Sequence, residues 1–281
     1  MKIFIAGAGT MGAGIAQVFG QAGHDVVLYD ISADFAAKGL AGIKKGLEKL
    51  VERGKIEEAK KDDILGKIST SADLNSAADC DLALEAIIEN VEIKKELFAK
   101  LDKICKADAI FATNTSGISI TDLANGLSRP CKFIGMHFFN PAPVMKLVEV
   151  IRGFQTSDAT FDTVFELSAE IGKEPVQVQE APGFVVNKIL VPMINEAICL
   201  LEQGVASAAD IDKAMKLGAG HPMGPLELSD LIGNDVVLFI METLLKETGD
   251  SKYRPSTLLR KMVRAGKLGR KNGEGFFSYA K

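Results

Sequence analysis

Apolar residues recur along this chain in two alternating rhythms. Residues 2–6 (KIFIA) form a short unbroken run, and GAGTMG then turns the chain into a helix whose apolar positions include Ile15, Val18 and Phe19. Residues 25–29 (DVVLY) read as a second strand. From 32 to 54, Leu40, Ile43, Leu47, Leu50 and Val51 repeat at helical spacing, and 57–65 continue as another helix, which predicts a helical hairpin. Further strands are expected at 82–85, 110–113, 133–137 and 147–151, with a helix over 91–104. Such alternation of strand and helix predicts an α/β fold with a parallel, doubly wound sheet.

After Pro182 and Gly183 the strand-like runs stop. Helical patterns take over at 184–204, 208–217, 225–247 and 256–265, so a boundary is expected near Gly183, with domains at 1–183 and 184–281 and the second all-α. Pro192 lies inside the first of these helices and is expected to kink it, because proline removes a donor and clashes with the preceding turn. No internal repeat is visible.

Composition narrows the function classes. Hydrophobic residues make up 47% and charged residues 25% of 281 positions, which is ordinary globular usage. A net charge of -4 with interspersed signs offers no broad basic footprint, so nucleic acid is not an expected partner. Cys80, Cys105, Cys131 and Cys199 are scattered without a CxxC pair, which favours buried thiols in a reducing compartment over a zinc site; no metal is expected. Met1-Lys2 followed by an uncharged run resembles a signal peptide, but Gly7, Gly9, Gly12 and Gly14 break it into strand, turn and helix. No apolar stretch is long enough to span a bilayer, and a cytoplasmic protein is expected.

Two segments carry chemistry. Gly7, Gly9, Thr10, Met11 and Gly12 sit in a GxGxxG turn between a strand and a helix, where free backbone N–H groups and the helix dipole suit a pyrophosphate. Asp30 ends the next strand, where an acid accepts hydrogen bonds from ribose hydroxyls and repels a 2′-phosphate, so NAD is expected rather than NADP. The second segment surrounds one of three histidines. His24 reads as a solvated turn residue and His221 as part of a Gly-Ala-Gly-His-Pro loop. His137 instead ends an apolar strand at the carboxyl edge, where ligands gather in open α/β sheets, although a structural imidazole is an equal reading on this alone. Asn114, Thr115 and Ser116 reach the same edge, and Glu149 lies within an apolar strand, an odd place for a carboxylate without a partner such as an imidazole. A histidine backed by a carboxylate is an oriented base.

These residues resemble the 3-hydroxyacyl-CoA dehydrogenase family. The match covers essentially the whole chain and includes GAGTMGAGIAQ at 7–17, LEAIIENVEIKKELFAKLD at 84–102, NTSGISI at 114–120, GMHFFNPAPVMKLVEVIRG at 135–153 and PGFVVNKILVPMINEAI at 182–198. HPMGPLELSDLIGND and GRKNGEGFFSY extend it through the second domain. The resemblance implies a Rossmann-type domain plus a helical domain that builds a homodimer, with the active site in the cleft between them. It implies NAD-dependent interconversion of a 3-hydroxyacyl-CoA thioester, 3-hydroxybutyryl-CoA above all, and the 3-oxoacyl-CoA. By position His137 resembles the family's base and Glu149 its orienting carboxylate, Ser116 and Asn187 resemble the groups that hold substrate oxygens, and Asp30, Glu89, Lys94 and Asn114 match cofactor-contacting positions. Gly117 stands where a serine is frequent and Lys188 where an arginine is frequent, which leaves local contacts open.

Lys45, Lys49 and Arg53 stand at i, i+4 and i+8 on the first hairpin helix, with Lys55 just beyond. Stacked like charges are mildly destabilising and would be relieved by the phosphates of CoA, although Lys44, Glu48 and Glu52 alongside make a plain solvated face an equal reading. Two rivals are a 3-hydroxyacid dehydrogenase with a lysine acid-base group, disfavoured by His137 and Glu149, and a crystallin-like structural relative that keeps the fold without turnover.

Overall fold

The computed structural model describes Met1–Tyr279 and divides into two units, Met1–Glu180 and Ala181–Lys281. The first opens with β1 (Lys2–Ala6), α1 (Thr10–Gln21) and β2 (Asp25–Tyr29). The helical hairpin follows as α2 (Ala33–Glu52) and α3 (Glu58–Gly66), then β3 (Ile68–Ser71), β4 (Leu82–Glu85), α4 (Val91–Ile104), β5 (Ile110–Thr113) and α5 (Ile120–Ala124). The unit closes with β6 (Phe133–Phe138), β7 (Leu147–Arg152), α6 (Asp158–Glu170) and β8 (Glu174–Gln179).

The strands form one eight-stranded sheet in the order β3-β2-β1-β4-β5-β6-β7-β8. Every join is parallel except β6 to β7. The order reverses between β1 and β4, the switch point where Rossmann-type sheets open a crevice. Strands β4, β5 and β6 are buried along their whole lengths, because helices cover both faces, and this is why they read as apolar runs broken only at or near their carboxyl ends, by Glu85, Thr113 and His137. The antiparallel β7 departs from the all-parallel expectation: a short hairpin connection joins it to β6, and only antiparallel neighbours can be linked that way.

Four elements carried no expectation. Strands β3 and β8 lie at the two sheet edges and alternate or lack apolar residues, with Pro175 inside β8, a residue that edge strands tolerate. Helices α5 and α6 were likewise unassigned.

The second unit contains α7 (Val186–Glu202), α8 (Ala208–Gly218), α9 (Pro225–Ile232), α10 (Asn234–Thr248) and α11 (Thr257–Arg264). Val191, Ile194 and Ile198 on α7 pack with Leu226, Val237, Met241, Leu244 and Leu259 in its core. Helix α7 runs through Pro192. The single helix expected over 225–247 is two helices, because Gly233 adopts φ 106°, which no helix accommodates. Buried Asn234 secures this break by bonding Ser229, Asp230 and the Lys267 carbonyl. Among the described residues no helix is long and apolar enough to cross a membrane.

Candidate active site

The glycine turn links β1 to α1 in the expected place. A Cβ at Gly12 would stand 1.8 Å from the Gly7 carbonyl oxygen, and Gly7 itself has φ 103° and lies against the Ala86 backbone. Gly9, by contrast, faces open space. The two Asp30 oxygens accept from the Ala8 and Ile31 amides, each at 2.8 Å, so the carboxylate is fixed beside the turn and not merely near it. A cleft of about 400 Å³ runs along this surface, lined by Ala8, Gly9, Thr10, Asp30, Phe35 and Lys38 among others. Backbone amides at a helix start, a tight glycine approach and a held carboxylate fit the pyrophosphate and ribose of NAD. Thr10 is exposed at this opening and Met11 is half-buried.

Further along the same carboxyl edge, cross-strand register pairs His137 on β6 with Glu149 on β7. Their Nδ1 and Oε2 atoms lie 2.8 Å apart, and both residues are buried, at 4% and 1% exposure. The Phe139 ring packs on the imidazole with centroids 4.5 Å apart. Between the two strands, residues 139–146 form a connection that Lys173 holds from below: its buried ammonium donates to the Ala142 and Met145 carbonyls at 2.6 and 2.9 Å. Burial among these neutral partners lowers the Lys173 pKa.

Asn114, Thr115 and Ser116 follow β5 at this edge. The Asn114 Oδ1 accepts from the Phe138 amide at 2.8 Å, which ties the loop to the residue after His137. Glu89 Oε1 accepts from the Thr115 hydroxyl and, at 3.0 Å, from the Ser116 amide. Lys94 is 1% exposed and sits between two carboxylates, 2.6 Å from Glu85 and 3.0 Å from Glu89. Its route to any ligand therefore passes through Glu89. Glu85 had not been singled out, although a carboxylate at the end of the apolar run LALE is the same signal that marked Glu149. Burial pushes the Glu85 carboxyl up, against the opposing pull of the Lys94 ammonium, the Thr113 hydroxyl and the Ile87 amide.

The remaining candidates lie elsewhere. Asn187 stands in the first turn of α7 in the second unit, after Gly183 and Phe184, both of positive φ. Lys45, Lys49, Arg53 and Lys55 are all exposed. His24, expected to be solvated, is buried: its Nδ1 lies 3.3 Å from the amino terminus and its ring packs edge-on against Phe19. Desolvation and the neighbouring terminal ammonium lower its pKa. The thiols are not uniformly buried either, since Cys131 is exposed in a short turn and Cys199 is half-buried. Cys80 and Cys105 are buried with sulfurs 3.9 Å apart.

Comparison with known proteins identifies the family. Residues 2–181 match the NAD binding domain of 3-hydroxyacyl-CoA dehydrogenase, and residues 183–279 match its C-terminal domain. The chain is 56% identical to a 3-hydroxybutyryl-CoA dehydrogenase of Clostridioides difficile, over 100% of both chains. It is 46% identical to the human mitochondrial hydroxyacyl-coenzyme A dehydrogenase, over 99% of this chain and 90% of that one. Among solved structures, the (S)-3-hydroxybutyryl-CoA dehydrogenase of Ralstonia eutropha superposes with a TM-score of 0.97 at 50% identity, covering 100% of this chain and 99% of that one. With a Rossmann-type sheet that opens at its switch point, a glycine turn shaped for NAD and both family domains matched in sequence, the chain belongs to the 3-hydroxyacyl-CoA dehydrogenase family of NAD-dependent oxidoreductases.

Proposed function

We propose that the protein interconverts a short 3-hydroxyacyl-CoA, 3-hydroxybutyryl-CoA above all, and its 3-oxo counterpart, acetoacetyl-CoA, with His137 and Glu149 as the acid-base dyad. The observation that carries this reading is the 2.8 Å contact between His137 Nδ1 and Glu149 Oε2 at the carboxyl edge of the sheet. An ionised carboxylate only accepts, so it fixes the proton on Nδ1 and makes Nε2 the nitrogen that exchanges a proton with substrate. His137 takes the proton of the 3-hydroxyl during oxidation and returns one to the carbonyl oxygen during reduction. When bound, the nicotinamide cofactor supplies the hydride acceptor or donor. Glu149, buried behind the ring, stabilises the imidazolium that forms.

Ser116 and Asn187 hold the hydroxyl and the thioester carbonyl, a positioning effect that needs no covalent intermediate. Asp30 receives the adenosine ribose hydroxyls, Gly7, Gly9, Thr10, Met11 and Gly12 shape the pyrophosphate turn, and Glu89 and Asn114 complete the cofactor contacts, with Lys94 acting through Glu89. Lys45, Lys49, Arg53 and Lys55 receive the CoA phosphates. The protein works in the reducing cytoplasm, in keeping with its four free cysteines. It acts as a homodimer built by the second unit, which leaves Ile189, Leu217, Leu231 and Phe239 exposed. A lysine-dependent 3-hydroxyacid dehydrogenase and a non-catalytic structural relative are the rival readings, and neither would reduce acetoacetyl-CoA with NADH.

Four measurements test these assignments. Wild-type protein is expected to show a higher kcat/KM with NADH than with NADPH, and Asp30→Ala is expected to lose much of that discrimination; a wild-type preference for NADPH would remove the ribose argument. Neutralising Lys49 and Arg53 together is expected to raise KM for the CoA thioester, less so at high salt, while KM for NADH stays nearly constant. An equal effect on a pantetheine thioester, which lacks the nucleotide phosphates, would reject the stripe as their site. Light scattering at micromolar concentration is expected to give the mass of two chains, and a monomer there would sink the dimer assignment.

The dyad is tested by a mutant cycle read as acetoacetyl-CoA reduction. His137→Ala is expected to lower kcat by roughly 10² to 10⁴, the range for one general acid-base group, with NADH binding preserved. Glu149→Gln keeps the shape but loses the charge, so kcat is expected to fall while substrate KM moves little. The double variant is expected to be barely worse than His137→Ala, because the carboxylate has no task once the imidazole is gone. Additive losses would show that Glu149 acts elsewhere.

A further inference from the structure

We propose that Glu85 is a positioning residue for the loop that carries Ser116, acting through Lys94 and Glu89. The proposal rests on the reading of Ser116 as a substrate contact. Glu85 is the last residue of β4 and fully buried, and no part of the chemistry described above uses it. Three donors meet its carboxylate: the Ile87 amide at 2.7 Å and the Lys94 ammonium at 2.6 Å on one oxygen, and the Thr113 hydroxyl at 2.7 Å on the other. The register between β4 and β5 sets Thr113 directly beside it. Lys94 reaches on to Glu89 at 3.0 Å, and the far oxygen of Glu89 holds the Ser116 amide at 3.0 Å. One continuous line of charged contacts thus runs from the sheet interior to the backbone of Ser116.

The order of burial gives this line a direction. Glu85 and Lys94 are essentially inaccessible, whereas the Glu89 side chain is 29% exposed. Exposed carboxylates on loops sample several rotamers, and an ammonium fixed at a buried site narrows them to one. Glu85 is what fixes that ammonium: it takes the inner side of Lys94 while Glu89 takes the outer. Without the inner charge, Lys94 follows Glu89 and no longer pins it. A role in stability alone explains the arrangement poorly, because buried ion pairs roughly break even against well-packed apolar side chains of similar volume. It also leaves unexplained why the line ends on the amide of Ser116.

The test uses the full chain, with and without NADH, and compares wild type with Glu85→Gln, which keeps the shape and removes the charge. Amide hydrogen exchange over residues 114–118 is expected to quicken by about tenfold, the scale of one lost charge-assisted hydrogen bond, while exchange in β1 and β2 stays at the wild-type rate. At saturating NADH the kcat/KM for acetoacetyl-CoA is expected to fall by a similar factor, and NADH affinity is expected to weaken as well, because Glu89 is also assigned to the cofactor contacts. In a Ser116→Ala background, Glu85→Gln is expected to add less than about twofold. Unchanged exchange over 114–118, a uniform rise across the whole sheet, or an additive cycle would each overturn the proposal. Should Glu85→Gln fail to fold, Thr113→Val removes one donor from the same carboxylate; the Thr113 hydroxyl also accepts from the Thr115 amide, so exchange is then read at the Ser116 amide alone, with a smaller expected effect and no change there overturning the proposal. A Ser116→Ala variant of full activity would sink the substrate role of Ser116, while the exchange arm still decides whether Glu85 holds the loop.

Discussion

Charge cannot stay buried unpaired, and the carboxyl edge of this sheet is arranged around that constraint. Glu85 and Lys94 are inaccessible opposite charges 2.6 Å apart, and the buried Glu149 carboxylate has the His137 imidazole 2.8 Å away. An isolated ion in such surroundings would neutralise, and removing one partner of a buried pair leaves the other uncompensated. The pairing in turn depends on strand direction. In the antiparallel β6–β7 join, residues 12 apart in sequence become direct cross-strand neighbours, so the imidazole and carboxylate face each other by register. The single change of strand direction, between β6 and the reversed pair β7–β8, is thus what sets these two side chains together.

The same connection couples the dyad to the cofactor side. Lys173 caps two carbonyls of the loop between β6 and β7, which keeps residues 142–145 in one conformation. That loop packs on α1: a Cβ at Gly14 would stand 3.3 Å from both Ala142 Cβ and Pro143 Cδ. Helix α1 begins at the glycine turn, where Gly12 approaches Gly7 too closely for any side chain. Close packing at two glycines, Gly12 on the Gly7 carbonyl and Gly14 on the Ala142 and Pro143 side chains, therefore links the glycine turn to the hairpin that bears His137 and Glu149.

Legibility in the sequence followed burial. The central strands stood out because both faces are covered and their residues are mostly apolar, as in the IFA of β5 before Thr113. The edge strands β3 and β8 did not, since ISTS and EPVQVQ carry no such run. The helical pattern over 225–247 runs across Gly233, and only the positive φ of that residue reveals the break. His24 looked like a turn residue because no local pattern announces the amino terminus and Phe19 folding over it. Within the site, Glu149 was legible as a carboxylate in an apolar strand, and Glu85 was overlooked because it ends its strand, where an acid reads as the start of a loop. Lys94 illustrates a different limit. Its position in a motif names it, but the direction of a long side chain is a tertiary property, and here the ammonium turns inward to two carboxylates.

The two clusters of buried charge are not independent, because one short loop touches both. On one side Glu89 holds the Thr115 hydroxyl and the Ser116 amide; on the other the Asn114 side chain accepts the Phe138 amide, one residue beyond His137. Asn114 is also anchored through its own amide to the Glu85 carbonyl at 2.8 Å. The loop is therefore tied to β4, to Glu89 ahead of α4 and to β6 at once, the last through Asn114, two residues before Ser116. A rigid link of this kind sets the distance between the group proposed to transfer the proton and the group proposed to hold the substrate oxygen. Within such a frame, tuning for different acyl chains falls to side chains that contact the acyl group and not to the dyad, because moving the dyad would disturb every buried charge at this edge.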